Sequence, residues 1–408
     1  MSPSWAFGGR RTAICVAAAG LVWALAALVW GDGLGDLPVY ERTYRLIAEG
    51  AVPYRDFTVE YPPGAAILFW LAGALPGAYA LGFSVLMLAC HLATLAAGLA
   101  VADHLRLGRA RTWLVAAGVV ALPLMLGSLV QTRFDLALSA ILGWTLWAAL
   151  TRRWRLMWLL VGLGVLVKLI PLALVPLLLV RHVRATGTGA ALRGALLSAG
   201  VVVAGLAPIA IVAPDGLTAL LTYHLERPLQ VESGPAALLS GWHALTGRAS
   251  EVVLTFGSWN VVSETAAALA TAATALTALL LAVLVWRGWR RGAREGADTD
   301  ALLVRDWVVV LGLLLILGKV LSPQFLMWLL PAALLIPGRS GVVAATAAVT
   351  AIVLTRVMFD LLYGQVLTGT DAGVLALWLR LGALVTLVAA AWPRREGEKA
   401  TATAVTAP

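Results

Sequence analysis

The chain alternates long apolar runs with short polar interruptions along nearly its whole length. Apolar runs of about 18 or more residues read as transmembrane helices. The repetition predicts an all-α, polytopic membrane protein with about ten to twelve spans. Two runs depart from the simple pattern. Residues 64–79 are too short for an ordinary span and read as a half-membrane or interfacial helix. Residues 156–180 carry Lys168 and Pro171 near their middle and begin and end with basic clusters. They read as two short helices meeting near the membrane surface. Between the first run and the second lies the most polar stretch, 32–63, where "YERTYRLIAEG" has helical spacing. Tyr40, Tyr44 and Ile47 share a face there, and Gly50 is a stop signal. This predicts an amphipathic helix on the membrane interface.

Composition agrees with the pattern. Of the 408 residues, 61% are hydrophobic and 12% charged, against roughly 25% charged in a soluble domain. The net charge of +9 does not point to nucleic acid, because the arginines fall in clusters at the ends of apolar runs. The clusters are Arg10–Arg11, RLGRAR (106–111), RRWR (152–155), RHVR (181–184), RGWRRGAR (287–294) and RREGEK (394–399). The positive-inside rule makes them cytoplasmic. Residues 32–63, about 128–134, 214–261, about 318–324 and about 360–371 then face outward. Both termini are expected inside, on an uncleaved first span over 12–30. One membrane-embedded domain covers 1–392, with no sequence repeat and no soluble domain; the Ala/Thr-rich tail 393–408 is expected to be disordered. Cys15 and Cys90 lie in apolar segments and read as inert.

Candidate chemistry gathers at the outward segments. "VPYRDFTVEYPPG" (52–64) holds Tyr54, Arg55, Asp56, Glu60 and Tyr61 where the chain re-enters the membrane. "TRFD" sets Arg133 and Asp135 at a helix start, either as a local ion pair with a favourable N-terminal charge or as part of a site. "YHLERPLQVES" (223–233) brings His224, Glu226, Arg227, Gln230 and Glu232 together without zinc-ligand spacing. Trp242 reads as an interfacial anchor.

Lysine usage adds a sharper signal. Only three of the 30 basic residues are lysine: Lys168, Lys319 and Lys399. The first two sit in "GVLVKLIP" and "LILGKVLSP", where an ionisable group is costly. Each is either a snorkelling side chain or a point charge for a phosphate, and the two are expected close together, near Asp36 of the polar stretch 32–63. Carboxylates and tyrosines suit sugar hydroxyls, cations suit phosphate, and a sugar on a polyprenyl phosphate combines the two with an apolar tail.

Taken together, "GDLPVY…GAVPYRDFTVEYPPG", "TRFD", "VKLIP" and "GKVLSPQFLMWLLP" resemble glycosyltransferase family 87, of the GT-C superfamily. The resemblance spans about residues 12–337. It implies a membrane-embedded transferase that uses a polyprenyl-phosphate sugar, as in actinobacterial α-mannosyltransferases of envelope glycolipid synthesis. It also implies a catalytic carboxylate in the first outer loop. The matching position is Asp36, with Asp56 and Glu60 in the later part of the motif. Tyr54, Arg55, Arg133, Asp135, Lys168, His224, Arg227, Lys319 and Gln324 are then candidates to bind substrate. Inversion at an anomeric carbon needs one general base, and a phosphate leaving group needs no cofactor. A divalent metal is compatible but not required. The implied partners are the lipid-linked donor, a lipid or glycan acceptor and the surrounding membrane lipids. The implied place is the plasma membrane, with the site on the extracytoplasmic side. A transporter or flippase of a lipid-linked sugar is the competing class, and a non-catalytic lipid carrier is a third. A transporter would bury its charges near the midplane, often in two related halves.

Overall fold

The computed structural model describes residues 9–30, 35–290 and 297–393. The expected disordered tail, beyond Pro393, lies outside the described residues, as do Asp32 and the last part of RGWRRGAR. The chain is an all-α polytopic membrane protein. Among the described residues, six helices are long and apolar enough to cross a membrane: Gly9–Trp30, Tyr79–His104, Thr188–Val212, Glu264–Arg290, Gly338–Thr368 and Asp371–Ala391. Their outward faces are lined by side chains such as Leu28, Leu196, Ile211 and Leu279, with the backbone satisfied within each helix as lipid demands.

The remaining apolar runs are shorter or broken. Helix Pro63–Ala74 has 12 residues, about 18 Å against a hydrocarbon core of about 30 Å. It is the short element expected at 64–79. It packs on Trp154–Val167 so closely that a Cβ on Gly64 would stand 2.6 Å from the Leu166 carbonyl oxygen. Close approach through small residues is how helices associate where lipid removes the hydrophobic drive. The run 156–180 breaks as expected. Trp154–Val167 ends at Lys168, whose backbone is extended (φ −162°, ψ 142°). A single tight turn, Ile170–Leu174, leads into Val175–Thr186. Pro171 has no amide hydrogen to donate, and its ring would clash with the carbonyl four residues back. That frees Lys168 from a helix.

The bundle has two ends of different chemistry. At one, arginines cap helix carbonyls. Arg111 donates to Leu334 O (2.8 Å), Gly341 O (3.0 Å) and Ile336 O, and Arg287 donates to Pro393 O (2.7 Å). Asp300 there joins His104 (2.8 Å) and Arg181. The Leu334 and Ile336 carbonyls follow helix Leu326–Ala333 and are of the kind a helix C-terminus leaves open. The other end carries the acidic and aromatic segments.

Segment 214–261 is more ordered than an outer loop. It forms helices Pro214–Glu226 and Gly234–Thr246 and a three-stranded antiparallel sheet. Strands Glu251–Thr255 and Ser258–Val262 pair in a hairpin with Thr255 opposite Ser258, and Leu229–Gln230 adds to the free edge of the second. Phe256 and Gly257 both have positive φ, 51° and 66°, as a two-residue hairpin turn with the right twist requires.

Candidate active site

Asp36 opens the site. Gly35 (φ +50°) turns the chain into the amphipathic helix Leu37–Ala48, and a Cβ there would lie 2.5 Å from Thr132 Oγ1. Only glycine fits both demands. Asp36 occupies the N-cap position yet makes no capping hydrogen bond. Its carboxylate instead pairs with Arg133 and accepts from the Tyr40 hydroxyl at 3.3 Å. The Asp36 side chain is 29% exposed, so the carboxylate is held in place and still open on one side. Behind it stands an aromatic wall. Tyr40 stacks on Phe69 (centroids 4.2 Å apart), and Tyr61 meets Phe134 edge-on at 4.9 Å.

Arg133 and Asp135 flank Phe134 at the start of helix Asp135–Leu150. Asp135 is almost fully buried and pairs with Lys168 Nζ at 2.8 Å. The same ammonium lies over the rings of Phe325 (4.5 Å), Trp328 (4.8 Å) and Phe134 (5.2 Å). A carboxylate and three π-faces are the partners of this side chain inside the protein. The break at Lys168 is what lets the side chain reach them.

Segment 223–232 adds a further set of polar groups. Arg227 donates to Ser258 Oγ at 2.9 Å. The charges of Arg133 and Arg227 act on Lys168, and those of Arg227 and Lys168 act on His224. Burial, with these two cations beside it, pushes the His224 imidazole below its ordinary range. Lys319, expected beside Lys168, is used differently. It donates to Leu225 O (2.8 Å) and Arg227 O (3.5 Å), while its own carbonyl accepts from Gln230 N (2.9 Å). Gln230 Oε1 in turn accepts from Leu321 N (3.0 Å). Lys319 thus ties the main chain of 225–230 to the loop 319–324.

The structure distributes the loop candidates unevenly. Glu60 faces Tyr223 and the hairpin turn; a Cβ on Gly257 would be 3.5 Å from its Oε1. Tyr54, at positive φ (68°), donates to Tyr61 O at 2.6 Å and pins the loop from inside. Asp56 and Arg55 pair with each other (2.8 and 2.9 Å) on the surface, and the second oxygen of Asp56 also accepts from Val52 N at 2.7 Å. Those bonds draw the Asp56 carboxyl down to about 2. Asp56 is occupied within its own turn, whereas Asp36 faces the embedded cations through Arg133.

Three further residues belong to this end of the bundle. Glu232 is 1% exposed, bonds the Tyr363 hydroxyl, and feels the charges of Arg380, Arg227 and Arg133. Arg380, also buried, donates to the Glu232 carbonyl. Glu232 stands out in the sequence only as one member of a polar cluster. Arg380, in "LALWLRLGALV", is an embedded cation as anomalous as Lys168, masked by the abundance of arginine elsewhere. Among the described residues, Arg133 Nε, Arg227 Nε, His224 Nε2, Gln324 Oε1 and Glu232 Oε2 are buried without hydrogen-bond partners. Buried polar atoms are rarely left so in a finished interior. Arg133, Arg227, His224 and Glu232 are also linked to one another or to Lys168 by their charges, so they form the candidate place for a polar ligand.

The fold and this site define a multi-pass membrane protein that gathers carboxylates, cations and aromatic faces at one end of a helical bundle. The chain matches glycosyltransferase family 87 over residues 57–316. It belongs to that family and is a membrane glycosyltransferase. The match is narrower than the resemblance over 12–337; Asp36, Lys319, Gln324, Tyr363 and Arg380 lie outside it. No curated protein matches the chain.

Proposed function

We propose that the protein transfers a sugar, mannose first among the candidates, from a polyprenyl-phosphate donor to a hydroxyl of an envelope glycolipid or glycan, with inversion. The observation that carries this reading is the Asp36–Arg133 pair and the Lys168–Asp135 pair, linked by the charge of Asp135 on Arg133, with the charge of Arg227 reaching Lys168 and that of Lys168 reaching His224, and with an unpartnered nitrogen on each of Arg133, Arg227 and His224. Asp36 is the general base. The acceptor hydroxyl oxygen attacks the anomeric carbon as its proton passes to an Asp36 oxygen. The bond from that carbon to the phosphate oxygen breaks, and the polyprenyl phosphate leaves as an anion. Arg133, Arg227 and Lys168 stabilise the charge that develops on it, as preorganised cations in a water-poor site do most effectively. Arg133 couples the two halves because it touches the base and faces the leaving group. Lys319 contributes by fixing the segment 225–230 that carries Arg227.

On this reading the arginine-capped end is cytoplasmic and the site opens to the extracytoplasmic side of the plasma membrane, following the positive-inside rule. No cofactor is required, because arginine and lysine supply the positive charge that a metal would bring to the phosphate; turnover is expected to persist in EDTA. The test is incubation of the purified protein in lipid nanodiscs with radiolabelled polyprenyl-phosphate mannose and an envelope lipid extract. Sugar transfer that disappears in Asp36→Asn is the expected result. Movement of the lipid-linked sugar across a vesicle membrane without transfer would refute it in favour of a flippase.

A further inference from the structure

Glu232 is unused in that reaction, yet it is among the most buried charged groups in the protein. It lies in the turn between Leu229–Gln230 and helix Gly234–Thr246. Its main chain is held from two sides. Arg380 donates to its carbonyl, and the following residue, Ser233, caps the helix by accepting from Ala236 N at 3.2 Å. The side chain is held by the Tyr363 hydroxyl. Backbone and one oxygen are therefore fixed, while Oε2 is sealed from water and has no hydrogen-bond partner among the described residues. Burial pushes the carboxyl up to about 7 against the pull of Tyr363 and the three arginines. A rigidly held acceptor without a donor is a vacancy for a ligand's donor.

The neighbours decide which ligand. A phosphate oxygen brings no proton and would be repelled by a carboxylate. A sugar hydroxyl donates through its hydrogen and accepts through its lone pairs. The charges of Arg380, Arg227 and Arg133 all act on Glu232, and each of these arginines has a buried Nε without a hydrogen-bond partner among the described residues. A carboxylate beside guanidinium N–H groups can satisfy a hydroxyl in both directions at once. The elements that hold Glu232 come from Tyr363 and Arg380, beyond the stretch 57–316 that defines the family match.

We infer that Glu232 is a saccharide-binding residue whose free oxygen accepts a hydrogen bond from a sugar hydroxyl in the site, held ready by Tyr363 and Arg380. The inference rests on the reading of the site as one that handles a lipid-linked sugar. The hydroxyl belongs either to the transferred sugar or to the acceptor, and the experiment separates the two. Binding of polyprenyl-phosphate mannose and of bare polyprenyl phosphate is measured for wild type and Glu232→Gln in nanodiscs, together with the KM for the acceptor. Gln keeps the size and an acceptor for Tyr363 but loses the anion. Loss of a hydrogen bond to a charged group corresponds to about a 10- to 100-fold change. A loss of that size for the sugar-bearing donor, with bare polyprenyl phosphate unchanged, assigns the donor sugar; the same rise in acceptor KM alone assigns the acceptor. Wild-type affinity for all three overturns the inference. If the variant does not fold, wild type is assayed with monodeoxy donors and acceptors. One deoxy position must then show the loss, and equal binding of every analogue overturns the inference just as firmly. Wild type that neither binds nor uses a polyprenyl-phosphate sugar refutes the donor reading, and the Glu232 assignment with it. Wild type that does so while Glu232→Gln behaves identically refutes the Glu232 assignment alone.

Discussion

Replacing Lys168 by Met tests whether the embedded ion pair holds the broken helix together or serves the chemistry. The change removes the ammonium from Asp135, 2.8 Å away, whose side chain is 1% exposed. Breaking a buried pair from one side costs about 3–5 kcal/mol, chiefly because the remaining charge is stranded. Asp135→Asn is expected to cost less. The orphaned ammonium still faces three rings at 4.5–5.2 Å, and a desolvated cation–π contact contributes about 2 kcal/mol. In the double variant Lys168→Met/Asp135→Asn no charge is stranded, so stability should return to within about 1–2 kcal/mol of wild type, as uncharged replacements of buried pairs often do. The assay is equilibrium unfolding in mixed micelles, followed by tryptophan fluorescence, for all four proteins. Equal and additive losses across the two single variants and the double would refute the coupling. Turnover supplies the second reading. If Lys168 stabilises the leaving phosphate, the double variant is folded but remains at least about 100-fold slow, since a preorganised charge is worth about 3–4 kcal/mol in a transition state. Recovery of turnover along with stability would make the pair purely structural.

Asp36→Asn should lower turnover by about 100- to 10,000-fold, the usual weight of a general base, with donor binding retained; Asp56→Asn should stay within a few-fold, because Asp56 bonds only Arg55 and Val52 N on the surface. The reverse order of damage in a radiolabel transfer assay would move the base to the 52–57 turn. The Asp56 carboxyl is depressed to about 2 from 3.8, so its contribution to the order of that turn is present above pH 3.8 and lost as pH falls through 2. Hydrogen exchange at the Val52 amide should therefore quicken, relative to neighbouring amides, only below about pH 4, and Asp56→Asn should remove that dependence. For sidedness, cysteines at the exposed Glu49 and Arg248 should label in intact cells, and cysteines at Arg193 and Arg339 only after lysis. Labelling in the opposite order would invert the proposed orientation. Lys319→Met should loosen the 225–230 segment without abolishing folding. The expected sign is a higher KM for donor with thermal stability lowered by about 1 kcal/mol per hydrogen bond lost.

Much of the architecture could be read from residues in order. The short helix at 63–74, the break at Lys168–Pro171 and the amphipathic helix after Asp36 were legible, because apolar run length, a proline and a helical period act within a few residues of themselves. The hairpin at 251–262 was legible in principle. Its "TFGS" turn between β-branched stretches is a local signal, lost against the prevailing helical pattern. The embedded lysines stand out by their cost, whereas the same cost at Arg380 is hidden among the many arginines of the chain. Lys319 shows the limit of that reasoning: its charge is spent on main-chain carbonyls two segments away.

Partition between water and lipid is a property of each stretch of chain. The sequence by itself therefore determined a multi-pass helical bundle, its short and broken members, and a polar end distinct from a basic one. Which charges meet is a property of packing. Lys168 finds Asp135 across 33 residues, Arg133 finds Asp36 through the close passage of Thr132 over Gly35, and Arg380 finds the main chain of Glu232 across 148 residues. Only the tertiary structure decided these pairings, because a buried charge takes whatever partner the packed helices bring within reach, and nothing local to either residue encodes that distance.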